Sequence, residues 1–307
     1  MTDTLREALQ RAAHAISELG SEEAALEAEL LLAHALGTDR THLYQRLPDA
    51  LPPDAATAFD ALLHRRLARE PVPYITGRRE FYGLEFEVTP VAILPRPETE
   101  TLVELVLGFV SERGLATPRI ADVGVGCGAI AVALALSLPQ AEVIAVDLSA
   151  NALALARRNA ERHGVAERID FREGDLLAPL AAHPEPVEGP AHPEPKPGVS
   201  RDSSRRVDVI AANLPYVRSA DFEASLPEIR EHEPRLGLDG GPDGLRLIER
   251  LLRDAPAYLK PGGALFAEIG EEQGEPTLAL ARGCFPQAQI EVKQDLSGLD
   301  RVLVVRT

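Results

Sequence analysis

The chain has 307 residues, of which 45% are hydrophobic and 26% charged, and it carries a formal net charge of −16. That length and apolar content allow a large core and an expected two domains, while the acidic balance opposes a sequence-blind grip on nucleic acid, which needs many Lys and Arg to displace counterions from phosphates. Cys127 and Cys284 fit neither a metal spacing nor a disulfide framework, so no metal is expected and a reducing cytoplasm is the expected location. The opening MTDTLREALQRAAH carries acids and no continuous apolar core, which argues against a signal peptide or anchor. No later segment supplies the run of about 18 apolar residues that a membrane span needs.

Residues 1–72 read as helices only. Leu5, Leu9, Ala12, Ile16 and Leu19 recur at helical spacing, Gly20 suits a C-terminal cap, and Ser21 is placed to cap a second helix, EEAALEAELLLAHAL, ended by Gly37. A further helix is expected over about Asp54 to Glu70. Pro71 and Pro73 then interrupt the pattern, and YITGRREFYGLEFEVTP alternates like a hairpin. The expected division is an all-helical domain over 1–72, a hairpin linker over 73–95 and a larger domain over 96–307, with the boundary between Pro71 and Pro90. The cations His64, Arg65, Arg66, Arg69, Arg78 and Arg79 flank that junction, and a solvated helix face is preferred for them over a grip on an acidic partner.

From Thr101 onward the strand-like runs RIADVG, EVIAVDL, RIDFREGD, VDVIAANL and ALFAEIG alternate with the helical runs LVELVLGFVSER, AIAVALALSL, ALALARRNAERHG and LRLIERLLRDAPAYL. Strands too apolar for a solvated face imply a parallel sheet covered by helices on both sides, an α/β architecture. The last segment, IEVKQDLSGLDRVLVVR, carries two strand-like runs joined at Ser297 and Gly298, an expected hairpin that adds an antiparallel strand. Between Leu180 and Val207 lies AAHPEPVEGPAHPEPKPGVSRDSSRR, where HPEP occurs twice; a disordered surface insertion at about 182–205 is preferred over a proline-rich docking motif. Doubling a flexible loop costs only about 0.6 kcal/mol, so the fold is expected to tolerate it.

The chemistry begins at IADVGVGCGAIA, residues 120–131. Gly124, Gly126 and Gly128 lie between a strand and a helix, where missing side chains let a ligand approach the backbone and the helix N-terminus. Gly124, Gly126 and Ala129 also satisfy a dinucleotide fingerprint, so NAD stays open at this point. Asp147 closes the next strand, where a carboxylate serves the ribose of either nucleoside. GDLL ends the third strand; an adenine can rest on Leu176 with its amino group toward Asp175, unless Asp175 merely caps a turn.

AANLPYV, residues 211–217, follows an apolar strand whose end adjoins the glycine loop in a doubly wound sheet. An enzyme that alkylates a conjugated amide or amino nitrogen must aim a delocalised lone pair at the electrophile. Asn213 can accept one N–H through its side-chain oxygen and the Leu214 carbonyl the other; Pro215 keeps Leu214 extended, and Tyr216 offers a flat wall for stacking. In PRPETE, Pro95 and Pro97 stiffen a helix entry, and Arg96, Glu98 and Thr99 either present a charged edge to the crevice or cap the helix.

The combination of ADVGVGCGAIA, AVD, GDL and NLPY resembles class I S-adenosylmethionine methyltransferases of the amino-methylating kind, whose usual tetrapeptide is NPPY and which include DNA adenine methyltransferases. YITGRREFYGLEF, ILPRPETETLVE, EHEPRLGLDGGPDGLRLIERLL, EIGEEQG and DLSGLDRV narrow it: together they resemble the release-factor glutamine N5-methyltransferases, the HemK/PrmC family, over nearly the whole chain apart from the insertion. The resemblance implies a doubly wound, mostly parallel seven-stranded sheet with a terminal antiparallel hairpin, joined to a small all-α N-terminal domain that recognises the substrate. It implies S-adenosyl-L-methionine as cofactor and the GGQ glutamine of bacterial class 1 peptide chain release factors as methyl acceptor, with no direct nucleic-acid, membrane or metal partner. By the same resemblance Gly124, Val125, Gly126, Cys127 and Gly128 hold the cofactor's methionine end, Asp147 its ribose, and Asp175 and Leu176 its adenine. Asn213 meets cofactor and substrate, Asn213 to Tyr216 clamp the glutamine amide, and Arg96 and Glu98 are further substrate contacts. Leu176 stands where some relatives carry an aromatic residue, and Leu214 replaces the usual first proline; the carbonyl survives that exchange, so activity is expected to survive. The expected reaction is in-line displacement of the sulfonium methyl by the amide nitrogen, accelerated mainly by positioning. The competing readings are a ribosomal-protein glutamine methyltransferase, against which PRPETE argues, a DNA adenine N6-methyltransferase, which lacks a basic groove here, and a non-catalytic cofactor sensor.

Overall fold

The computed structural model describes residues 3–181 and 205–307, so the proline-rich stretch expected at about 182–205 lies outside the described residues except for Arg205. The chain divides into two compact units, one of Met1–Arg78, Val88–Pro90 and Leu226–His232, the other of Arg79–Glu87, Val91–Ser225 and Glu233–Thr307.

The first unit is helical: α1 (Leu5–Ser17), α2 (Ala24–Ala35), α3 (Arg40–Gln45), α4 (Pro53–Leu67) and α5 (Val72–Thr76). Thr4 and Glu7 form a reciprocal capping box, and Leu5, Ala8, Ala12 and Ile16 fall on the one buried face of α1. The expected Ser21 cap is corrected. Helix α2 starts at Ala24 behind Glu23, while the Ser21 hydroxyl accepts from the Glu23 N–H at 3.3 Å and donates to Glu27 at 3.1 Å. Tyr74 to Thr76 are helical, not extended, because Pro71 supplies the φ of −60° that a helix start wants and Pro73 falls in the first turn, where no hydrogen bond is lost. The basic string is also corrected at Arg66. Its side chain is buried, donating to Glu27 at 2.7 Å and to Glu228 at 3.0 Å, while Arg65 pairs with Glu70 and Arg69 with Glu228.

The hairpin is confined to β1 (Arg78–Phe81) and β2 (Leu84–Glu87), joined by Tyr82 and Gly83, both with positive φ as a tight hairpin turn requires. Beyond it the second unit runs α6 (Glu100–Glu112), β3 (Arg119–Val123), α7 (Ala129–Ser137), β4 (Glu142–Asp147), α8 (Ala150–Arg162), β5 (Ile169–Glu173) and a short α9 (Ala178–Ala181). It continues with β6 (Val207–Ala212), β7 (Val217–Arg218), the short helix α10 (Ser219–Ala224) and β8 (Asp239–Gly241). The short helix α11 (Pro227–Arg230) of the first unit falls between those last two in sequence. The chain then forms α12 (Arg246–Asp254), β9 (Leu259–Glu268), α13 (Gly274–Cys284), β10 (Gln289–Gln294) and β11 (Asp300–Arg306).

The main sheet has seven strands in the order β10-β11-β9-β6-β3-β4-β5. β3, β4, β5, β6 and β9 are parallel, and the terminal hairpin adds β11 antiparallel to β9, as the sequence led us to expect. The strand order reverses beside β3, where Val123 is paired with Ala212. Ligands of open α/β sheets bind outside the carboxyl ends at such a reversal. Register therefore sets Gly124 and Asn213 side by side at that edge.

Candidate active site

The loop between β3 and α7 turns through Gly124, Gly126 and Gly128, with φ of 82°, 55° and 90°. A Cβ on Gly124 would lie 3.0 Å from the Leu214 side chain and 3.4 Å from the Asn213 carbonyl, so the glycine is what lets the loop press against the tetrapeptide. At Gly126 a Cβ would meet nothing nearer than 3.9 Å, which leaves an open cradle. Asp147 braces the loop: its carboxylate accepts from the Gly126 N–H at 2.9 Å and the Ser149 N–H at 2.8 Å. Burial raises its pKa, and these N–H groups oppose the rise.

A cavity of about 620 Å³ opens at this edge, a volume suited to a nucleoside carrying an amino-acid tail. Gly124, Gly126, Asp147, Asp175 and Leu176 line it, and so do Asn213, Leu214 and Pro215. Val125, Cys127 and Gly128 do not; Val125 and Cys127 are buried in the loop, and the Cys127 carbonyl accepts from Asn159 at 2.8 Å. Burial pushes the Cys127 thiol up to about 12, which makes it inert. Leu176 reaches the cavity from a left-handed backbone, φ +50°, a conformation costly for Leu and held by the surrounding fold. Asp175 is paired with Arg250 at 2.5 Å. Arg96 and Glu98 do not line the cavity: Arg96 pairs with the buried Glu233, whose carboxylate also accepts from the Leu94 N–H, and Glu98 is exposed.

Asn213 is held by its amide: Nδ2 donates to the Thr99 hydroxyl at 3.1 Å, leaving Oδ1 as the acceptor end. Among the described residues no donor is bonded to the Leu214 carbonyl. Tyr216 turns its hydroxyl to Glu268, donating at 3.0 Å, and lines a second cavity of about 490 Å³ on which Arg218, Asp243 and Gln273 also border. Burial raises the Tyr216 hydroxyl pKa, and the Glu268 charge adds to the rise. The tetrapeptide's backbone is buttressed from behind. Gln273 donates to the Tyr216 carbonyl at 2.9 Å, and Gly240 comes so near that a Cβ there would stand 2.5 Å from the Pro215 carbonyl.

Glu268 and Gln273 carry no role in the sequence reading. The available signal for Glu268 was a carboxylate closing an otherwise apolar strand at the edge where the glycine loop and Asn213 also end. Among the described residues no His, Cys, Asp and Glu grouping could hold a metal ion, and no helix is long and apolar enough to cross a membrane.

A doubly wound sheet with an antiparallel terminal hairpin, a glycine cradle and an acidic residue closing the neighbouring strand define a class I S-adenosylmethionine-dependent methyltransferase. The family profile described as a methyltransferase domain matches residues 120–188, and that of the PrmC N-terminal domain matches residues 7–77. The chain is 41% identical to the release factor glutamine methyltransferase of Geobacter sulfurreducens over 98% of its length and 95% of the relative's. To that of Cereibacter sphaeroides it is 42% identical, over 99% and 97%. Among solved structures the hMettl16 catalytic domain, crystallised with a MAT2A 3′UTR hairpin, superposes with a TM-score of 0.52 at 15% identity, covering 78% of this chain and 80% of that one, which speaks to the fold alone. The chain belongs to the release factor glutamine methyltransferase family, and its cofactor is S-adenosylmethionine.

Proposed function

We propose that this enzyme methylates the side-chain amide nitrogen, N5, of the glutamine in the GGQ motif of class 1 peptide chain release factors, in the cytoplasm. One observation carries the reading: two acceptors, Asn213 Oδ1 and the Leu214 carbonyl, project from one stiff corner that walls the same cavity as the glycine cradle. A primary amide offers two N–H groups to such a pair. Satisfying both orients the nitrogen, and a substrate leaving either acceptor buried and unpaired is disfavoured, by as much as roughly ten-thousand-fold in sites of this kind. Pro215 restricts Leu214 to extended backbone and thereby fixes its carbonyl direction. Bound in the cradle, S-adenosylmethionine supplies an electrophilic methyl group on a positively charged sulfur.

Gly124 to Gly128 are assigned to its amino-acid end, Asp147 to the ribose hydroxyls, and Leu176 with Asp175 to the adenine. The two paired N–H donors on Asp147 still leave lone pairs free for hydroxyls. Arg96 and Glu98, in the stiff turn that also carries Thr99, are assigned to the substrate backbone. Residues 1–72, matched by the PrmC N-terminal profile over 7–77, are assigned to recognising the folded release factor.

Incubating the enzyme with labelled cofactor and, separately, a release factor, ribosomal protein and DNA tests this assignment. Label is expected only in the release factor, as N5-methylglutamine, and Asn213→Ala is expected to lower kcat by about a hundredfold or more. Label in DNA, or full activity in the variant, overturns it.

A further inference from the structure

We propose that Glu268, at the carboxyl end of β9, is a positioning residue for methyl transfer: acting through Thr99, it decides which end of the Asn213 amide faces the substrate. The inference rests on the assignment of Asn213 as substrate acceptor made above.

The two ends of an Asn side chain have nearly the same shape, so packing alone does not choose between them. The choice must come from hydrogen bonding. Thr99 accepts from Asn213 Nδ2 and acts on the Glu268 carboxylate as a hydrogen-bond donor. A hydroxyl has one hydrogen. Once Thr99 gives it to Glu268, its oxygen can only accept, the Asn213 NH2 must turn toward it, and Oδ1 is left for the substrate. The direction is set at the far end because an ionised carboxylate accepts and never donates. Tyr216 enters the same carboxylate through its hydroxyl, so both flanks of the tetrapeptide answer to one group.

Glu268 is only 1% exposed, and its Oε2 has no hydrogen-bond partner among the described groups. A carboxylate so placed costs the fold stability. Its presence calls for a reason other than packing.

Glu268→Gln keeps the shape and brings an NH2 that donates to Thr99. The Thr99 hydrogen then turns to Asn213, and the amide presents NH2 where an acceptor is needed. The expected result is a roughly hundredfold loss of kcat, as for other small misplacements in active sites. KM for the release factor and the cofactor Kd should shift by less than about threefold, with Tm unchanged or raised. Thr99→Val should match it, and Thr99→Ser, which restores a hydroxyl, should regain at least about tenfold of the loss. A second measurement needs no turnover: NMR of the Asn213 side-chain amide should show one N–H protected from exchange in the wild type and both protons shifted in Glu268→Gln. Near-normal kcat in Glu268→Gln, or an unmoved Asn213 amide, overturns the inference. A wild type that transfers no methyl to the release factor instead defeats the functional assignment, and the NMR comparison still decides the orientation.

Discussion

Asp122 shows how a single residue can tie stability to acidity. It is wholly buried in β3, and burial pushes its carboxyl up to about 7; the Ala131 N–H opposes that rise and the Asp147 charge adds to it. A folded value above the unfolded one means the stabilising contribution is complete below the unfolded pKa of 3.8 and is lost as pH climbs through about 7. Asp122→Asn is therefore expected to gain in Tm over the wild type across that interval, with a gap at pH 8 larger than the gap at pH 4.5; equal gaps would refute the assignment. Gly240 gives a second test at this scale. A methyl group there collides with the Pro215 carbonyl, so Gly240→Ala should leave cofactor affinity within about threefold while reducing kcat by at least tenfold, read by calorimetry and steady-state kinetics. Asn213, Leu214, Asp147 and the loop glycines were legible in the sequence because their chemistry is local to one strand end each. Glu268 was not, because its partners Tyr216 and Thr99 lie 52 and 169 positions away in the chain and only strand order brings them together.

Elements were legible in proportion to how cleanly their periodicity ran. The five parallel strands and the terminal hairpin announced themselves as apolar runs, but α13 did not: GEPTLALARGC opens on Gly274 and Pro276, residues that normally punctuate chains. Gly274 is needed there because a Cβ would strike the Asp300 carboxylate. Helix α5 was read as part of a hairpin for the converse reason, two prolines that mark a helix start having been taken for a helix stop. Helix α4 supplies the prediction at this scale. Arg66 neutralises Glu27 and Glu228 while itself nearly excluded from water, and removing one partner of such a cluster leaves buried charge uncompensated. Arg66→Ala should destabilise the helical unit by about 3 kcal/mol, visible as earlier loss of helical signal on heating, whereas Arg65→Ala, on an exposed pair, should change it by under about 1 kcal/mol.

At the scale of the whole molecule, the acidity that excludes a phosphate grip leaves recognition to shape and to a few directed acceptors. Raising salt from 50 to 200 mM, the range over which a binder making several phosphate contacts loses about a thousandfold in affinity, should change release-factor methylation far less than that. The division into units carries one more consequence. Leu226–His232 is encoded beyond the tetrapeptide, yet it completes the helical unit and brings Glu228 to Arg66. A gene fragment stopping at residue 78 would thus make an unfinished product, lacking a piece translated almost 150 codons later. During synthesis the amino-terminal helices must wait, with Arg66 short of one counter-charge, until the ribosome has delivered the catalytic corner as well.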